Sequence, residues 1–200
     1  MIVGGSTGIG RAVSVLLADR WEVVCVDRHH GVDVTDRVRY LRTLRFHVAD
    51  ADALVYCAGQ VVPGSLVDIT QDDWDDTIEV NLTGAFRAIQ LFARQDREGP
   101  VVLVGSTAGH RPSPGWAAYS ASKAALANLA ETADAELSGH GIRVYCITPG
   151  RCATALRARL APGEDPASIM QPAEVAQVIA QLLDDHDGVL AGSPIKVARS

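Results

Sequence analysis

Lysines and aromatic residues are scarce in this chain of 200 residues. Only two positions are lysines, Lys123 and Lys196, against sixteen arginines, and aromatics make up 5% of the sequence. The formal net charge is -6, and the sequence contains no run of consecutive basic residues. Proteins that bind nucleic acids usually present a basic patch and stacking aromatics, so the composition argues against a nucleic-acid partner.

Long apolar runs are also missing. The longest, such as "VSVLLA" and "VVLVG", are far shorter than the roughly 20 residues of a membrane-spanning helix. The opening "MIVGGSTG" has no charged segment ahead of a long apolar one, as a secretory signal would. We therefore expect no membrane partner and a cytoplasmic location.

The chain has little that would suggest disulfides or a metal centre. Its four cysteines show no Cys-x-x-Cys spacing and three of them fall in apolar, β-rich runs, so we interpret all four as reduced thiols: Cys25, Cys57, Cys146 and Cys152. The histidines have no metal-ligand spacing, and we expect no metal.

Forty-eight percent of the residues are hydrophobic, which is enough for one substantial core, so we expect a single domain over 1–200. Short β-branched runs alternate with longer helical patterns, and this alternation predicts an α/β fold with a doubly wound, Rossmann-like parallel sheet. The predicted strands are Met1–Val3, Glu22–Val26, Ala53–Cys57, Val101–Gly105, Arg143–Ile147 and Val189–Ile195. The predicted helices are Ile9–Asp19, Asp36–Leu44, Asp72–Arg94, Ala117–Ser138 and Pro172–Leu183.

A glycine-rich segment, "VGGSTGIGRAV", follows the first predicted strand and opens the first helix. Gly4, Gly8 and Gly10 lack side chains that would keep a pyrophosphate away from the amides of a helix N-terminus. Asp27 comes seventeen residues after Gly10, at the end of the next strand, where a carboxylate can accept hydrogen bonds from the adenosine ribose. The carboxylate would also repel a 2′-phosphate, so we expect NAD in preference to NADP, although Arg28 leaves NADP possible.

Tyr119 and Lys123 are four residues apart on a predicted helix and so share one face. A nearby ammonium favours the phenolate form of a tyrosine, which suits proton transfer at an alcohol or carbonyl oxygen. Ser106 ends a predicted strand, at the sheet edge where ligands bind in parallel sheets. Asn81 lies on the helix predicted before that strand.

With these four residues in place, the chain resembles the short-chain dehydrogenase/reductase family over nearly its whole length. The family's T-G-x-x-x-G-x-G appears as Val3–Gly4 to Gly8–Ile9–Gly10, and its N-x-x-G as Asn81 to Gly84. Its N-N-A-G is reduced to Ala58–Gly59 after Tyr56–Cys57, and its P-G-x-x-x-T appears as Pro149–Gly150 to Thr154.

The resemblance implies a dehydrogenase or reductase acting on CH–OH groups, a small-molecule alcohol or carbonyl substrate, and assigned roles. Tyr119 would be the general acid or base, Lys123 would lower its pKa and bind the nicotinamide ribose, Ser106 would hold the substrate oxygen, and Asn81 would hold a water that relays protons. The cofactor would contact Gly4, Ser6, Thr7, Gly8, Ile9, Asp27, Arg28, Asp33, Val34, Ala58, Gly59, Tyr119, Lys123, Pro149, Gly150 and Thr154.

The chain departs from the family pattern in two places. Only five residues separate Asp27 from Asp33, so the second crossover is expected to be reduced to a turn and the third strand to be vestigial. The substrate lid, about 155–171, is short and broken by Pro162, Gly163 and Pro166. We expect Trp116 and His110 to border the substrate pocket.

Two alternatives to an NAD-dependent oxidoreductase of secondary alcohols and ketones stay open. One is an NADPH-dependent carbonyl reductase, and the other is a non-catalytic dinucleotide-binding protein. The helices Asp72–Arg94 and Ala117–Ser138 are similar to the pair through which family members associate, so we expect a homodimer or homotetramer.

Overall fold

A computed structural model describes residues 1–95, 97–185 and 187–198. Six parallel strands form one sheet in the order β2-β1-β3-β4-β5-β6. The strands are β1 (Ile2–Val3), β2 (Cys25–Val26), β3 (Leu54–Tyr56), β4 (Gly99–Val104), β5 (Ile142–Pro149) and β6 (Ile195–Val197). The helices are α1 (Gly8–Leu17), α2 (Arg37–Val48), α3 (Gln71–Ile78), α4 (Gly84–Ala93), α5 (Ala117–Leu137), α6 (Ala155–Leu160) and α7 (Pro172–Leu183). The predicted α/β class with a Rossmann-like parallel sheet is confirmed.

Helices cover both faces of the sheet, because alternate strand residues point to opposite sides. Val101 and Leu103 of β4 belong to the cluster that packs under α2, α4 and α5, whereas Val102 and Val104 belong to the cluster under α1 and α7. The strand order reverses between β1 and β3, so their carboxyl ends flank a crevice at the switch point of the sheet.

Several helix ends are stabilised by a side-chain cap or by a residue suited to a helix terminus. The Thr70 side chain accepts a hydrogen bond from the Asp73 amide at the start of α3. Pro172 occupies the first turn of α7, where its missing N–H costs nothing. Gly141 ends the short 3₁₀ turn, Ser138–His140, that follows α5. Its φ of 74° is the left-handed conformation that favours glycine.

The second crossover is reduced to a turn, as expected from the five residues between Asp27 and Asp33. After β2 the chain makes a single 3₁₀ turn, Arg28–His30, closed by Gly31, and α2 then returns it to β3. The backbone from 27 to 36 contributes no strand, so Asp33 and Val34 do not end a third strand as the family pattern implies. They lie in the loop before α2, with too few residues to cross the sheet and return.

The largest errors in the predicted strand bounds are at β6 and β2. The segment 189–194 is not a strand, and β6 begins only at Ile195; glycines with positive φ, Gly188 and Gly192, turn the chain there. β2 covers only Cys25–Val26 of the predicted Glu22–Val26, because its neighbour β1 offers only Ile2 and Val3 as pairing partners.

The long helix predicted over Asp72–Arg94 is three segments. A π turn, Glu79–Thr83, separates α3 from α4. π turns inside α-helices often mark functional positions, and this one carries Asn81. The sequence-based prediction treats the segment as one continuous helix and does not detect the π turn.

Candidate active site

The glycine-rich turn between β1 and α1 is packed too tightly for side chains. A Cβ added to Gly4, whose φ is 83°, would lie 2.6 Å from the Ala58 nitrogen, and one added to Gly10 would lie 2.0 Å from the Gly4 oxygen. Thr7 is the N-cap of α1 but makes no side-chain cap hydrogen bond with the described residues. The first amides of α1 therefore remain available to an anion.

A cavity of about 490 Å³ opens beside this turn. Its lining contains these residues predicted to contact a cofactor: Gly4, Ser6, Thr7, Asp27, Arg28, Asp33, Val34, Ala58 and Gly59. The cavity lies at the carboxyl ends of β1, β2 and β3, where the sheet order reverses. It has the position and the tight glycine backbone that a dinucleotide requires.

Asp27 is held in this cavity by donors from its own loop and from the glycine-rich turn. Its Oδ2 accepts from Ser6 Oγ at 2.7 Å, and its Oδ1 accepts from the His29 and His30 amides at 3.0 and 3.3 Å. The His30 ring contacts the same oxygen, with Nδ1 at 2.9 Å. Burial acts to raise the pKa of Asp27, but the hydrogen bonds from Ser6 and His30 outweigh it and lower the pKa below its ordinary value.

Arg28 is engaged elsewhere in the same loop. Its Nε donates to Asp33 Oδ2 at 2.6 Å. Asp33 also accepts from the Thr35 amide and hydroxyl, at 2.9 and 2.8 Å. The two residues thus hold each other at the cavity wall.

A second cavity, of about 210 Å³, adjoins the first, and both are lined by Thr7, Cys57 and Gly59. The residues predicted for chemistry and for the nicotinamide end of the cofactor line it: Gly8, Ile9, Ser106, Tyr119, Lys123, Pro149, Gly150 and Thr154. Gly8 approaches the Thr154 methyl so closely that an added Cβ would lie 3.2 Å from it.

Ser106 and Tyr119 meet at the second cavity from different elements. Ser106 follows β4, and its Oγ accepts from the Ala108 amide at 3.1 Å, which fixes the turn into the 3₁₀ segment Thr107–His110. Burial raises the pKa of Tyr119, and a hydrogen bond from Ser106 opposes that rise. The Trp116 ring packs edge-on against Tyr119, with ring centroids 6.2 Å apart, and lines the same cavity.

Lys123 is buried, with 3% of its surface exposed. Its Nζ donates to the Val104 carbonyl at 2.8 Å and lies 5.8 Å from the centre of the Tyr119 ring. Burial lowers the pKa of Lys123 to about 8, with Cys146 and Cys57 acting in the opposite direction. The expected lowering of the Tyr119 pKa by Lys123 does not emerge from these contacts, because desolvation of the phenol dominates.

Asn81 lines neither cavity, and its side chain is occupied by protein partners. Its Nδ2 donates to the Gln60 carbonyl at 2.8 Å and to Ser122 Oγ at 2.9 Å, while its Oδ1 accepts from the Gln60 amide at 2.8 Å. The amide therefore clamps the loop after β3 to α5, one residue before Lys123. A water held by this side chain, as the family resemblance implies, would have to compete with these bonds.

Two tyrosines that the sequence analysis did not single out support the π turn. Tyr56, in the place of the family's first asparagine, donates its hydroxyl to the Val80 carbonyl at 2.6 Å. Tyr40 of α2 donates to the Gly84 carbonyl at 3.0 Å. Gly84 has no room for a side chain, since an added Cβ would lie 2.4 Å from the Tyr56 oxygen. The only signal in the sequence was the replacement of a polar motif residue by Tyr56.

The predicted lid over 155–171 consists of the short helix α6 and a 3₁₀ turn, Pro166–Ser168. Glu164 stabilises this segment, because its carboxylate accepts hydrogen bonds from Arg157 at 2.6 and 2.8 Å and from Arg151 at 3.0 Å. Arg159, on the exposed side of α6, reaches the lining of the first cavity. His110 lines a neighbouring cavity rather than the one that contains Ser106 and Tyr119.

In the described ranges, no helix is both long enough and apolar enough to cross a bilayer. The same residues contain no group of three or more His, Cys, Asp or Glu side chains placed to hold a metal ion.

Known proteins with similar sequences are oxidoreductases. A 3-oxoacyl-[acyl-carrier-protein] reductase, FabG of Thermotoga maritima, is 29% identical over 98% of this chain and 94% of its own length. Among solved structures, an NAD+-bound xylitol dehydrogenase is 26% identical with a TM-score of 0.85, and the match covers 100% of this chain and 96% of that one. BdcA in complex with NADPH is 27% identical with a TM-score of 0.82, covering 98% of this chain and 91% of that one.

The family profile described as short chain dehydrogenase matches residues 29–165, which include the serine, tyrosine and lysine of the second cavity. The match and the architecture agree on a nicotinamide dinucleotide as the bound group, and the tight glycine turn with its open helix N-terminus fits one. This chain belongs to the short-chain dehydrogenase family of oxidoreductases.

Proposed function

We propose that the protein is an NAD(H)-dependent oxidoreductase that interconverts a secondary alcohol and a ketone. One observation carries the proposal: the cavity lined by Ser106, Tyr119 and Lys123 adjoins the cavity beside the glycine-rich turn, and the two share Thr7, Cys57 and Gly59 in their walls. A dinucleotide lying across both would bring its nicotinamide to the three side chains. When bound, that ring would supply or accept the hydride.

The chain's own residues handle the proton and the substrate oxygen. Burial raises the pKa of Tyr119, so the phenol is protonated at neutral pH and can donate to a carbonyl oxygen that gains charge. The Ser106 hydroxyl would hydrogen-bond the same oxygen and stabilise that charge. The Lys123 ammonium, fixed by the Val104 carbonyl, adds positive charge behind the phenol ring and lowers the cost of forming a phenolate.

The preference for NAD(H) rests on charge in the first cavity. The Asp27 carboxylate is ionised at neutral pH because its pKa is lowered, and it would repel a 2′-phosphate. Arg28, the residue best placed in sequence to pair with that phosphate, is committed to Asp33. An adenosine ribose with two hydroxyls meets no such conflict.

NADPH remains the alternative cofactor because Arg159 also lines the first cavity and a structure of similar sequence binds NADPH. Arg159 makes no ion pair with a carboxylate among the described residues. A phosphate in the cavity could therefore recruit it from α6. The choice depends on whether this contact outweighs repulsion by Asp27.

Fluorescence titration of the purified protein with NADH and with NADPH tests the choice. We expect NADH to bind about tenfold or more tightly, which corresponds to about 1.4 kcal/mol. Asp27→Asn should narrow the gap by strengthening NADPH binding. Asp76→Asn is the matched control, since it removes an equal charge from the exposed side of α3, outside the lining of the cavity. Tighter binding of NADPH to the unaltered protein would reverse the assignment.

Turnover separates an enzyme from a dinucleotide-binding protein. A panel of ketones with NADH should give oxidation of the cofactor that is lost in Tyr119→Phe, while NADH binding is retained. If NADH binds but no ketone or alcohol in a broad panel reacts, the catalytic proposal fails.

We also propose that the protein forms a homo-oligomer through α4 and α5, where the side chain of Phe86 is 44% exposed. A monomer measured by light scattering would contradict this proposal.

A further inference from the structure

A third cavity, of about 560 Å³, adjoins the catalytic cavity. Thr107, Arg111, Gly150 and Arg151 line both cavities and form the boundary between them. The far wall is made by the carboxyl-terminal edge of the sheet at β6 and by the segment before α7. A molecule whose reacting carbon lies at Ser106 could therefore extend past this boundary into the third cavity.

The lining of the third cavity is basic, although the chain as a whole has a net charge of -6. His110, Arg111, Arg151 and Lys196 contribute to it, and none of its lining residues is an aspartate or a glutamate. Lys196 is one of only two lysines in the sequence, and the other, Lys123, lies in the catalytic cavity.

Two of these basic side chains have no counter-ion among the described residues. Arg151 donates to Glu164, but that carboxylate is shared with Arg157. The side chains of Arg111 and Lys196 make no hydrogen bond or ion pair with any residue in 1–95, 97–185 or 187–198. Positive charge that converges on a concave site without a counter-ion attracts an anionic ligand, and arginine in particular fits carboxylate and phosphate oxygens.

We propose that the third cavity binds an anionic group of the substrate, a carboxylate or a phosphate, while the substrate's carbonyl or hydroxyl carbon lies at Ser106 and Tyr119. This inference rests on the oxidoreductase function proposed above and narrows its substrates to compounds with two functional groups. Arg111 at the boundary and Lys196 at the far wall would both contact the anion. The ketone group itself can be uncharged, because the catalytic cavity would recognise its oxygen through hydrogen bonds from Tyr119 and Ser106.

Steady-state kinetics with paired ketones test the inference. Methyl ketones with a terminal carboxylate on spacers of increasing length would be compared with their primary amides, which have nearly the same shape and no charge. The same ketones with a terminal phosphate would be compared with the corresponding alcohols. At one spacer length we expect kcat/KM for an anion to exceed that of its neutral partner about tenfold or more, the ratio expected for a charged hydrogen bond. The series with the larger ratio identifies the anion.

Variants assign the effect to the cavity. Lys196→Gln should remove most of the preference for the anion and leave kcat/KM for the neutral ketone within about twofold, a change equivalent to the few tenths of a kcal/mol typical of surface substitutions. Arg111→Gln, at a residue that also lines the catalytic cavity, should lower the ratio of kcat/KM for the anionic ketone to that for its neutral partner. Arg45→Gln, an exposed arginine on α2, is the control for general charge effects. Equal rates for anions and neutral partners at every length, or an equal loss in Arg45→Gln, would overturn the inference.

Binding distinguishes failure of this inference from failure of the proposed function. Calorimetric titration of Tyr119→Phe, loaded with NAD, should show the same preference for the anionic ketone and its loss in the added Lys196→Gln change. Anion preference in binding without turnover by the unaltered protein would refute the oxidoreductase proposal alone. Turnover of neutral and anionic ketones at equal rates would refute the anion site alone.

Discussion

Lys123 is a buried cation whose protonation should be visible in the stability of the fold. Its Nζ is hydrogen-bonded to the Val104 carbonyl, and the side chains of Cys146 and Cys57 act to raise its pKa. No carboxylate among the described residues forms an ion pair with it. Burial consequently lowers the Lys123 pKa from 10.5 to about 8.

The sign of the effect follows from proton binding. Between the folded and unfolded pKa values the unfolded chain holds the proton more strongly, so stability rises as the pH rises through that window. At about pH 7 the charged lysine costs the folded state about 3 kcal/mol, the difference of the two pKa values multiplied by about 1.36 kcal/mol. By about pH 9.5 the folded protein holds the amine neutral, and about 2 kcal/mol of that cost is recovered.

Denaturant unfolding of the cofactor-free protein and of Lys123→Met, each at several pH values from about 7 to 9.5, measures the effect. The free energy of unfolding of the unaltered protein minus that of the variant should rise by about 2 kcal/mol over this range, which corresponds to a relative Tm gain of about 4–8 °C. Subtraction is needed because the pKa values of Cys57 and Cys146 are raised to about 12 and about 11. Those thiols lower stability with rising pH in both proteins alike.

If the difference in the free energy of unfolding is flat or falls with pH, this account of Lys123 is refuted. An amine with the same pKa in the folded and unfolded chain would not change the stability as the pH rises. The same titration should appear in catalysis. kcat/KM for ketone reduction reports the free enzyme, so it should decline as pH rises through about 8 and the ammonium behind the phenol is lost.

Three further substitutions test the site and its support. Tyr119→Phe should lower kcat for ketone reduction by about 10²–10⁴-fold, the usual contribution of a general acid, with little change in NADH affinity; an active variant would remove the phenol from the mechanism. Tyr56→Phe leaves the Val80 carbonyl buried without its 2.6 Å partner and should reduce the free energy of unfolding by about 1–3 kcal/mol in urea melts. No loss there would mean that the π turn finds another donor. Gly10→Ala places a methyl 2.0 Å from a backbone oxygen and should abolish NADH binding in the fluorescence titration, whereas normal binding would contradict the close packing of the turn.

The meeting of Ser106, Tyr119 and Lys123 at one cavity could be predicted from the sequence because the position of each depends on a local rule. Tyr119 and Lys123 share a helix face through their spacing alone, and the helix Ala117–Leu137 ends within one residue of its predicted limit. Ser106 follows from the tendency of parallel strands to present ligand-binding residues at their carboxyl ends. These rules need no knowledge of what packs against the element.

The environment of the same residues could not be predicted, because it depends on contacts between distant parts of the chain. Asn81 was recognised by its motif, but its partners Gln60 and Ser122 are 21 and 41 residues away. The π turn that carries it needs the hydroxyl of Tyr56, which the sequence pattern registers only as a missing asparagine. The dominance of burial over Lys123 in setting the Tyr119 pKa likewise appears only once the cavity is formed.

The shortened second crossover shows how a local segment can replace a missing element. The family pattern implies a helix and a strand between Asp27 and Asp33, whereas here one 3₁₀ turn, Arg28–His30, joins them. That turn is capped by Asp27 itself, whose Oδ1 accepts the His29 and His30 amides. The carboxylate thus has a structural role as well as the proposed role in binding ribose, so removing its charge in Asp27→Asn should retain the cap, whereas Asp27→Ala should also loosen the loop. A comparison of the two variants separates the electrostatic choice of cofactor from the shape of the pocket, because only Asp27→Ala should weaken NADH and NADPH together.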